Sequence, residues 1–284
     1  MILVLVGCFS IVSGDFDAWK KHQLTEETGF EIQDFGIDVA EIPAGIFRMG
    51  CTEGSAELPE DTECFENEYP VHDVEITRPF ALMTTEVTQE LYEEVIGENL
   101  SDFSFGGNFP VEMVSWFDAI RFANELSRLE GREKCYSIVE GDSGTIVDWI
   151  GLGCTGWRLP IEAEWEFAAR GNEYFIYSGS NTIDEVAWYS HNSENITNRV
   201  AQKEPNAFGL YDMTGNVYEW VWNGYNEYSD ETEVDPINSS SQEYRMLRGG
   251  SWYGDSIYAR VSLRSYYEPT DRFFYLGFRL ARTL

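Results

Sequence analysis

Five cysteines, three histidines, an Asn–Glu pair and a C-terminal run of tyrosines and phenylalanines are the residues whose types and spacing could do chemistry. His22, His72 and His191 lie far apart, and isolated imidazoles so spaced face solvent more often than they converge on a metal. No nucleophile-elbow motif accompanies any serine. Paired carboxylates carry no information, because 50 acidic residues place them everywhere. In Gly215-Asn216-Val217-Tyr218-Glu219-Trp220, Asn216 and Glu219 stand three apart and set two oxygens close together across a turn. Hard cations such as calcium require such oxygens. The alternative is that Asn216 caps the turn while Glu219 pairs with Arg248 or Arg279. Cys51, Cys64, Cys135 and Cys154 form an even set suited to an exported chain. Three pairings are open, of which Cys51–Cys64 with Cys135–Cys154 is the simplest.

The stretch Tyr253 to Leu276 is the most unusual. Seven of its 24 residues are aromatic (Tyr253, Tyr258, Tyr266, Tyr267, Phe273, Phe274 and Tyr275), against 15% over the chain. Asp255, Glu268 and Asp271 balance Arg260, Arg264 and Arg272, so the stretch is neutral in a chain of formal charge 19 − 50 = −31. It follows neither a period of two nor one of 3.6, so its aromatics cannot all face one core. Tyrosine brings large contact area, little rotamer entropy and a hydroxyl. With arginine, serine and glycine between, this is the composition of a protein-binding surface.

Such a surface needs a frame, and 43% hydrophobic residues in 284 are ample for one. The acidic field repels phosphate backbones and anionic lipid headgroups, which excludes nucleic acid as a partner. Strands are predicted at Ile46 to Met49, Val71 to Ile76 and Phe80 to Met83 from their alternation. Thr85 is expected to cap a helix from Glu86 to Ile96, stopped at Gly97. The two main helices run from Ser115 to Leu129 and from Pro160 to Gly171. After Asn206 short aromatic segments alternate with turn residues. The fold class is α+β, one domain with two main helices, short strands and much irregular loop. At the other end, the apolar run Met1 to Gly7 followed by Cys8 looks like a bacterial lipobox, although no Lys or Arg precedes it. Residues 1–8 then read as a lipoprotein signal remnant, with Cys8 the lipidated N-terminus. Residues 9–37 read as a polar tether and 38–284 as the domain.

Six segments in fixed order resemble the formylglycine-generating-enzyme family. They are Ile42-Pro43-Ala44-Gly45 with Arg48-Met49-Gly50, then Pro110 to Trp116, Trp157 to Gly171 and Pro205 to Trp220. Leu247-Arg248-Gly249-Gly250-Ser251-Trp252 and Gly277-Phe278-Arg279-Leu280-Ala281 complete the set. The resemblance implies an elaborated C-type lectin fold over about residue 38 to the end. It also implies calcium as a possible structural ion near Asn216 and Glu219, with no other cofactor required. The family's oxidase chemistry uses a cysteine pair just after the Arg-Gly-Gly-Ser stretch, where a thiolate binds copper and meets the substrate thiol. Here the last cysteine is Cys154, so that chemistry is not expected. A related branch binds iron through a histidine triad on an added helical domain, which three scattered histidines do not supply.

The C-terminal arrangement closely resembles the variable proteins of diversity-generating retroelements. Their diversified cassette lies between such a Gly-Gly-Ser-Trp and a Gly-Phe-Arg-Leu. Substitution at the adenines of AAC codons yields no Trp, Lys, Gln or Met, and residues 253–276 contain none of these. The resemblance implies a variable, ligand-binding region at about 252–276, made of Tyr253, Asp255, Ser256, Ile257, Tyr258, Leu263, Tyr266, Tyr267, Phe273, Phe274 and Tyr275. Arg248, Ser251, Trp252, Arg264, Gly277, Phe278 and Arg279 are assigned to the scaffold. The expectation is a non-enzymatic, monomeric receptor-type protein, lipid-anchored on the bacterial cell surface or outer membrane. Its ligand would be external and proteinaceous. The alternative is an accessory or catalytically active member of the formylglycine-generating-enzyme family.

Overall fold

The computed structural model describes residues 32–51, 64–141, 144–238 and 243–284. Cys8, the signal remnant and the tether up to residue 31 lie outside the described residues. Four small sheets surround three helices of eight or more residues. β1 (Val39–Ile42) pairs with β4 (Phe80–Met83), which also takes the last strand, β12 (Ala281–Thr283), so both ends of the domain meet on one strand. β2 (Gly45–Met49) and β3 (His72–Ile76) form a hairpin that β8 (Glu233–Val234) extends in parallel. The sheet that matters for function has the order β10 (Ser265–Tyr267), β9 (Arg245–Arg248), β7 (Tyr218–Gly224), β11 (Leu276–Gly277). A separate hairpin joins β5 (Tyr136–Gly141) to β6 (Gly144–Trp149).

Local chemistry accounts for the helices. α1 (Gln89–Ile96) starts at Thr88, whose hydroxyl accepts from the Leu91 amide, and ends at Gly97 in the left-handed region. The expected cap at Thr85 is three residues early, because Glu86 and Val87 are buried and the Val87 backbone bonds to Phe278 and Val111 instead of starting the helix. α2 (Trp116–Leu129) has the predicted Ser115 cap, reinforced by the Asp118 carboxylate on the Ser115 amide at 2.8 Å. α3 (Glu162–Arg170) begins two residues after Pro160 and stops at Gly171 in the left-handed region. A single-turn α4 (Ile183–Val186) was not foreseen. Residues 32–37, expected in the tether, lie along the domain instead. The Gln33 amide donates to the Leu129 carbonyl at 2.9 Å, and Phe35 and Ile37 pack on the core.

The cysteines pair over short range, Cys51 with Cys64 and Cys135 with Cys154. Among the described residues no helix is long and apolar enough to cross a membrane.

The core is apolar apart from its centre. All nine residues of α3 are buried, including Glu162, Glu164, Glu166 and Arg170. A carboxylate survives burial only if paired. Glu164 takes both terminal nitrogens of Arg158 at 2.7 Å. Glu166 takes Arg170 and Arg248, and Glu162 takes Arg264 and Arg248. Burial alone would push the Glu166 carboxyl up, but Arg170 and Arg248 hold it below the ordinary carboxylate range. α3 is thus a carboxylate spine, met by Arg158 and Arg170 from its own ends, by Arg248 from β9 and by Arg264 from the C-terminal segment.

Breaking this spine should cost far more than breaking a surface pair. Arg248→Met leaves Glu166 with Arg170 alone and Glu162 with Arg264 alone, and is expected to lower unfolding stability by about 3–5 kcal/mol. Arg48→Met, which removes a pair to Asp73 with both side chains about half exposed, should cost under about 1 kcal/mol. Urea unfolding of both variants checks this, and equal losses would contradict it.

Candidate functional site: an aromatic surface on the C-terminal loops

Residues 249–276 leave β9, turn back through the centre of the domain and form β10 before the last loop. Gly250, at φ 75°, makes the first reversal, where a Cβ would meet the Tyr258 carbonyl at 2.4 Å. Trp252 is buried, and its indole donates to the Phe274 carbonyl at 3.1 Å, tying the two ends of the segment together. Arg260 is held by Glu68, to which the Ser262 hydroxyl also donates at 2.7 Å. Arg264 makes two bonds to Glu162, at 2.7 and 2.9 Å, and reaches the Asn67 and Asn226 carbonyls at 3.0 Å. The loops are irregular, but their inward side chains are fixed on buried carboxylates.

The outward side chains form one surface. Tyr253, Tyr258 and Tyr266 are exposed by 62%, 43% and 41%, and Asp255 is exposed as well. Ser256, Ile257, Tyr267, Phe273, Phe274 and Tyr275 are half-buried. Rings touch along the whole patch: Tyr253 stacks on Tyr275 at 5.9 Å, Phe273 on Tyr275 at 5.2 Å, and Tyr267 meets Phe273 at 4.8 Å. The Tyr267 and Tyr275 hydroxyls share a hydrogen bond of 2.9 Å. Two adjoining hollows open here. One of about 550 Å³ is walled by Phe65, Tyr225, Tyr258, Tyr266 and Tyr267; one of about 300 Å³ by Tyr253, Asp255, Tyr258, Tyr267 and Tyr275. Tyr218, Tyr258 and Tyr267 belong to both.

Three expectations change. Leu263 does not present itself on this surface: at 3% exposure it backs the larger hollow, because Arg264 beside it is drawn inward to Glu162. The surface is not neutral, since Arg260 and Arg264 are buried and spent on Glu68 and Glu162. Of the segment's arginines only Arg272 is exposed, and it lies against Asp118 at 2.8 Å. Asn216 and Glu219 do not fit a calcium site. Both are fully buried. The Glu219 oxygens accept from Arg279 at 2.8–2.9 Å and from the Trp165 indole at 2.8 Å. Asn216 Oδ1 accepts from the Asn198 amide at 3.0 Å. The unpartnered acidic oxygens nearby are on Glu86 and Asp212, whose carboxyls burial pushes up, Asp212 to about 6.

Several wall residues carried no signal in the sequence. Phe65 and Glu66 come from the N-terminal half, Tyr218 and Tyr225 from the β7 region, and Tyr244, from just before β9, meets Tyr266 at 5.3 Å. Phe103 supports the far edge, with its ring against Trp252 at 5.4 Å and Phe274 at 6.3 Å.

Four small sheets, two of them packed on an enclosed polar helix, with a loop-built hollow beside it, define a C-type lectin-like domain. The Sulfatase-modifying factor enzyme 1-like domain matches residues 36–284, and the chain belongs to that family. The chain is similar to the solved Treponema denticola variable protein 1, with 33% identity and a TM-score of 0.75, covering 87% of this chain and 95% of that one. It is 37% identical to "Chaperone protein LppX" of Paenibacillus barcinonensis, over 62% of this chain and 70% of the relative. To the formylglycine-generating enzyme of Streptomyces coelicolor it is 29% identical, over 84% of this chain and 87% of the relative. Of the chlamydial serine/threonine-protein kinases that it matches, the chain spans 22–37% of the length.

One buried acid links pH to this surface. Glu112 Oε1 accepts from the Phe103 amide at 2.7 Å, while Oε2 has no hydrogen-bond partner among the described residues. Burial pushes its carboxyl up to about 7, against the pull of the Phe103 and Asp102 amides. The folded state therefore binds the proton more tightly than the unfolded chain, whose glutamates titrate near ~4.3. Stability should fall as pH rises from about 4 through about 7. Glu112→Gln removes that fall. Its unfolding free energy in urea should match wild type near pH 4 and exceed it at pH 8, by roughly 2–4 kcal/mol. A difference that does not change with pH would contradict this.

Proposed function

We propose that this chain is a non-enzymatic, receptor-type binding protein whose C-terminal segment, diversified by a retroelement, presents a ligand site on a fixed family scaffold. The observation that carries the reading is the division of labour within residues 253–276. Inward side chains such as Arg260 and Arg264 are locked on buried carboxylates, whereas Tyr253, Asp255, Tyr258 and Tyr266 are exposed at the surface. Exposed aromatic area of this extent is a hallmark of binding surfaces. The likeness to a variable protein at 33% identity supports the same reading. Calcium is not part of the proposal. Surface display through a lipid on Cys8, with the first part of the tether as spacer, belongs to it, and two or three acyl chains would be needed for stable anchoring.

The oxidase reading has little to stand on. The five cysteines are Cys8, Cys51, Cys64, Cys135 and Cys154, and the last four are in disulfides. No thiol follows Ser251, where the copper-dependent reaction needs one.

Two measurements test the proposal. DNA beside the coding region should hold a near-copy of the codons for residues 253–276 together with a reverse-transcriptase gene. The purified protein, with or without copper, should leave the thiol of a sulfatase-type peptide intact by mass spectrometry. Absence of both DNA elements would remove the diversified site, and conversion of thiol to aldehyde would make the protein an enzyme.

A further inference from the structure

The charge left at the aromatic surface, once the buried pairs are subtracted, indicates what the site takes. Its inward arginines are neutralised within the domain by Glu68 and Glu162. Among the described residues the carboxylates have no such cationic partners. Glu66 lines the larger hollow, Asp255 lines the smaller, and Asp255 meets only a neutral donor, the Ser190 hydroxyl at 2.8 Å. Glu268 is exposed on the loop between them and the last strand. Each hollow thus combines tyrosine faces with at least one open carboxylate, within a chain of net charge −31.

Aromatic faces with a carboxylate at the rim are the standard receptor for an ammonium or guanidinium group. The fold already uses that contact internally: the Arg264 guanidinium lies 3.8 Å from the Tyr228 ring centroid, and that of Arg260 lies 5.6 Å from Phe65. Phe65 also stacks on Tyr258 at 6.1 Å, so the wall of the hollow continues a cation–ring arrangement that begins inside the domain. An acidic partner segment would meet uncompensated repulsion here, and a purely apolar one would cover Asp255 and Glu66 without giving them a partner.

Resting on the binding reading above, we infer that the occupant is a protein segment with at least two basic side chains, one per hollow. One arginine or lysine enters among Tyr253, Tyr258 and Tyr275 beside Asp255. A second enters against Tyr266 and Phe65 beside Glu66. Since the two hollows share Tyr258 and Tyr267, the basic residues sit close together on the ligand.

The experiment selects binders from a displayed library of random 12-residue peptides on the full chain at physiological salt. Each binder is then measured on a variant carrying Tyr253→Ser, Tyr258→Ser and Tyr266→Ser. Peptides that lose about fivefold or more on that variant are directed to the site; peptides that bind both chains equally are attracted by net charge alone. Site-directed peptides should be enriched in paired Arg or Lys, and Asp255→Asn and Glu66→Gln should each weaken them about threefold. Site-directed peptides that are acidic or uncharged would overturn the cationic occupant while leaving the binding site in place. No site-directed peptide at all would overturn the site and the inference with it. Should the triple variant fail to unfold cooperatively, the single Tyr253→Ser and Tyr266→Ser variants serve as the counter-selection.

Discussion

Everything in this domain depends on an expensive arrangement: a helix with three glutamates and an arginine, buried on all sides. Glu162, Glu164 and Glu166 could not stay ionised in the interior without Arg158, Arg170, Arg248 and Arg264. The Arg248 and Arg264 pairs join segments 82 to 102 residues apart, so the helix ties β9 and the C-terminal loops to the core by charge as well as by contact. Such pairs cost desolvation and give geometry in return. They fix where a loop passes without needing it to be a helix or a strand.

That explains how an irregular segment can carry a defined surface. Residues 253–276 contain few backbone ladders, only β10 and the short β11. Their positions are instead set by Trp252, Arg260 and Arg264, all buried and bonded. Between those fixed points the outward residues contact one another and a few neighbouring rings, Phe65, Tyr218, Tyr225 and Tyr244, through stacked and tilted pairs. Changing them leaves the buried pairs untouched.

The sequence made the frame more legible than the surface. Ser115 and Asp118 lie within one turn, so the cap of α2 could be read locally. The six family segments were recognisable because glycines such as Gly215 and Gly250 sit where a Cβ would collide with backbone, at 2.2 and 2.4 Å. The charge of the surface could not be read. Arg260 and Arg264 find Glu68 and Glu162 across separations of 192 and 102 residues, and no local pattern announces such partners. For the same reason Leu263 was expected outside, and Phe65, Glu66 and Tyr225 were not expected in the site at all. The Asn216–Glu219 pair shows the converse: the spacing suits a cation, but Arg279 arrives from the C-terminus to take the carboxylate.

The central claim is that the buried pairs, and not the exposed aromatics, hold this segment in place. The most direct measurement is the unfolding midpoint of a library randomised together at 253, 255, 256, 257, 258 and 266, with Trp252, Arg260 and Arg264 unchanged. Most members should unfold cooperatively within about 1–2 kcal/mol of the parent, as surface substitutions do. If most members fail to fold, or lose as much as Trp252→Ala, which should cost about 3–5 kcal/mol, the aromatic surface is part of the core and the account is wrong.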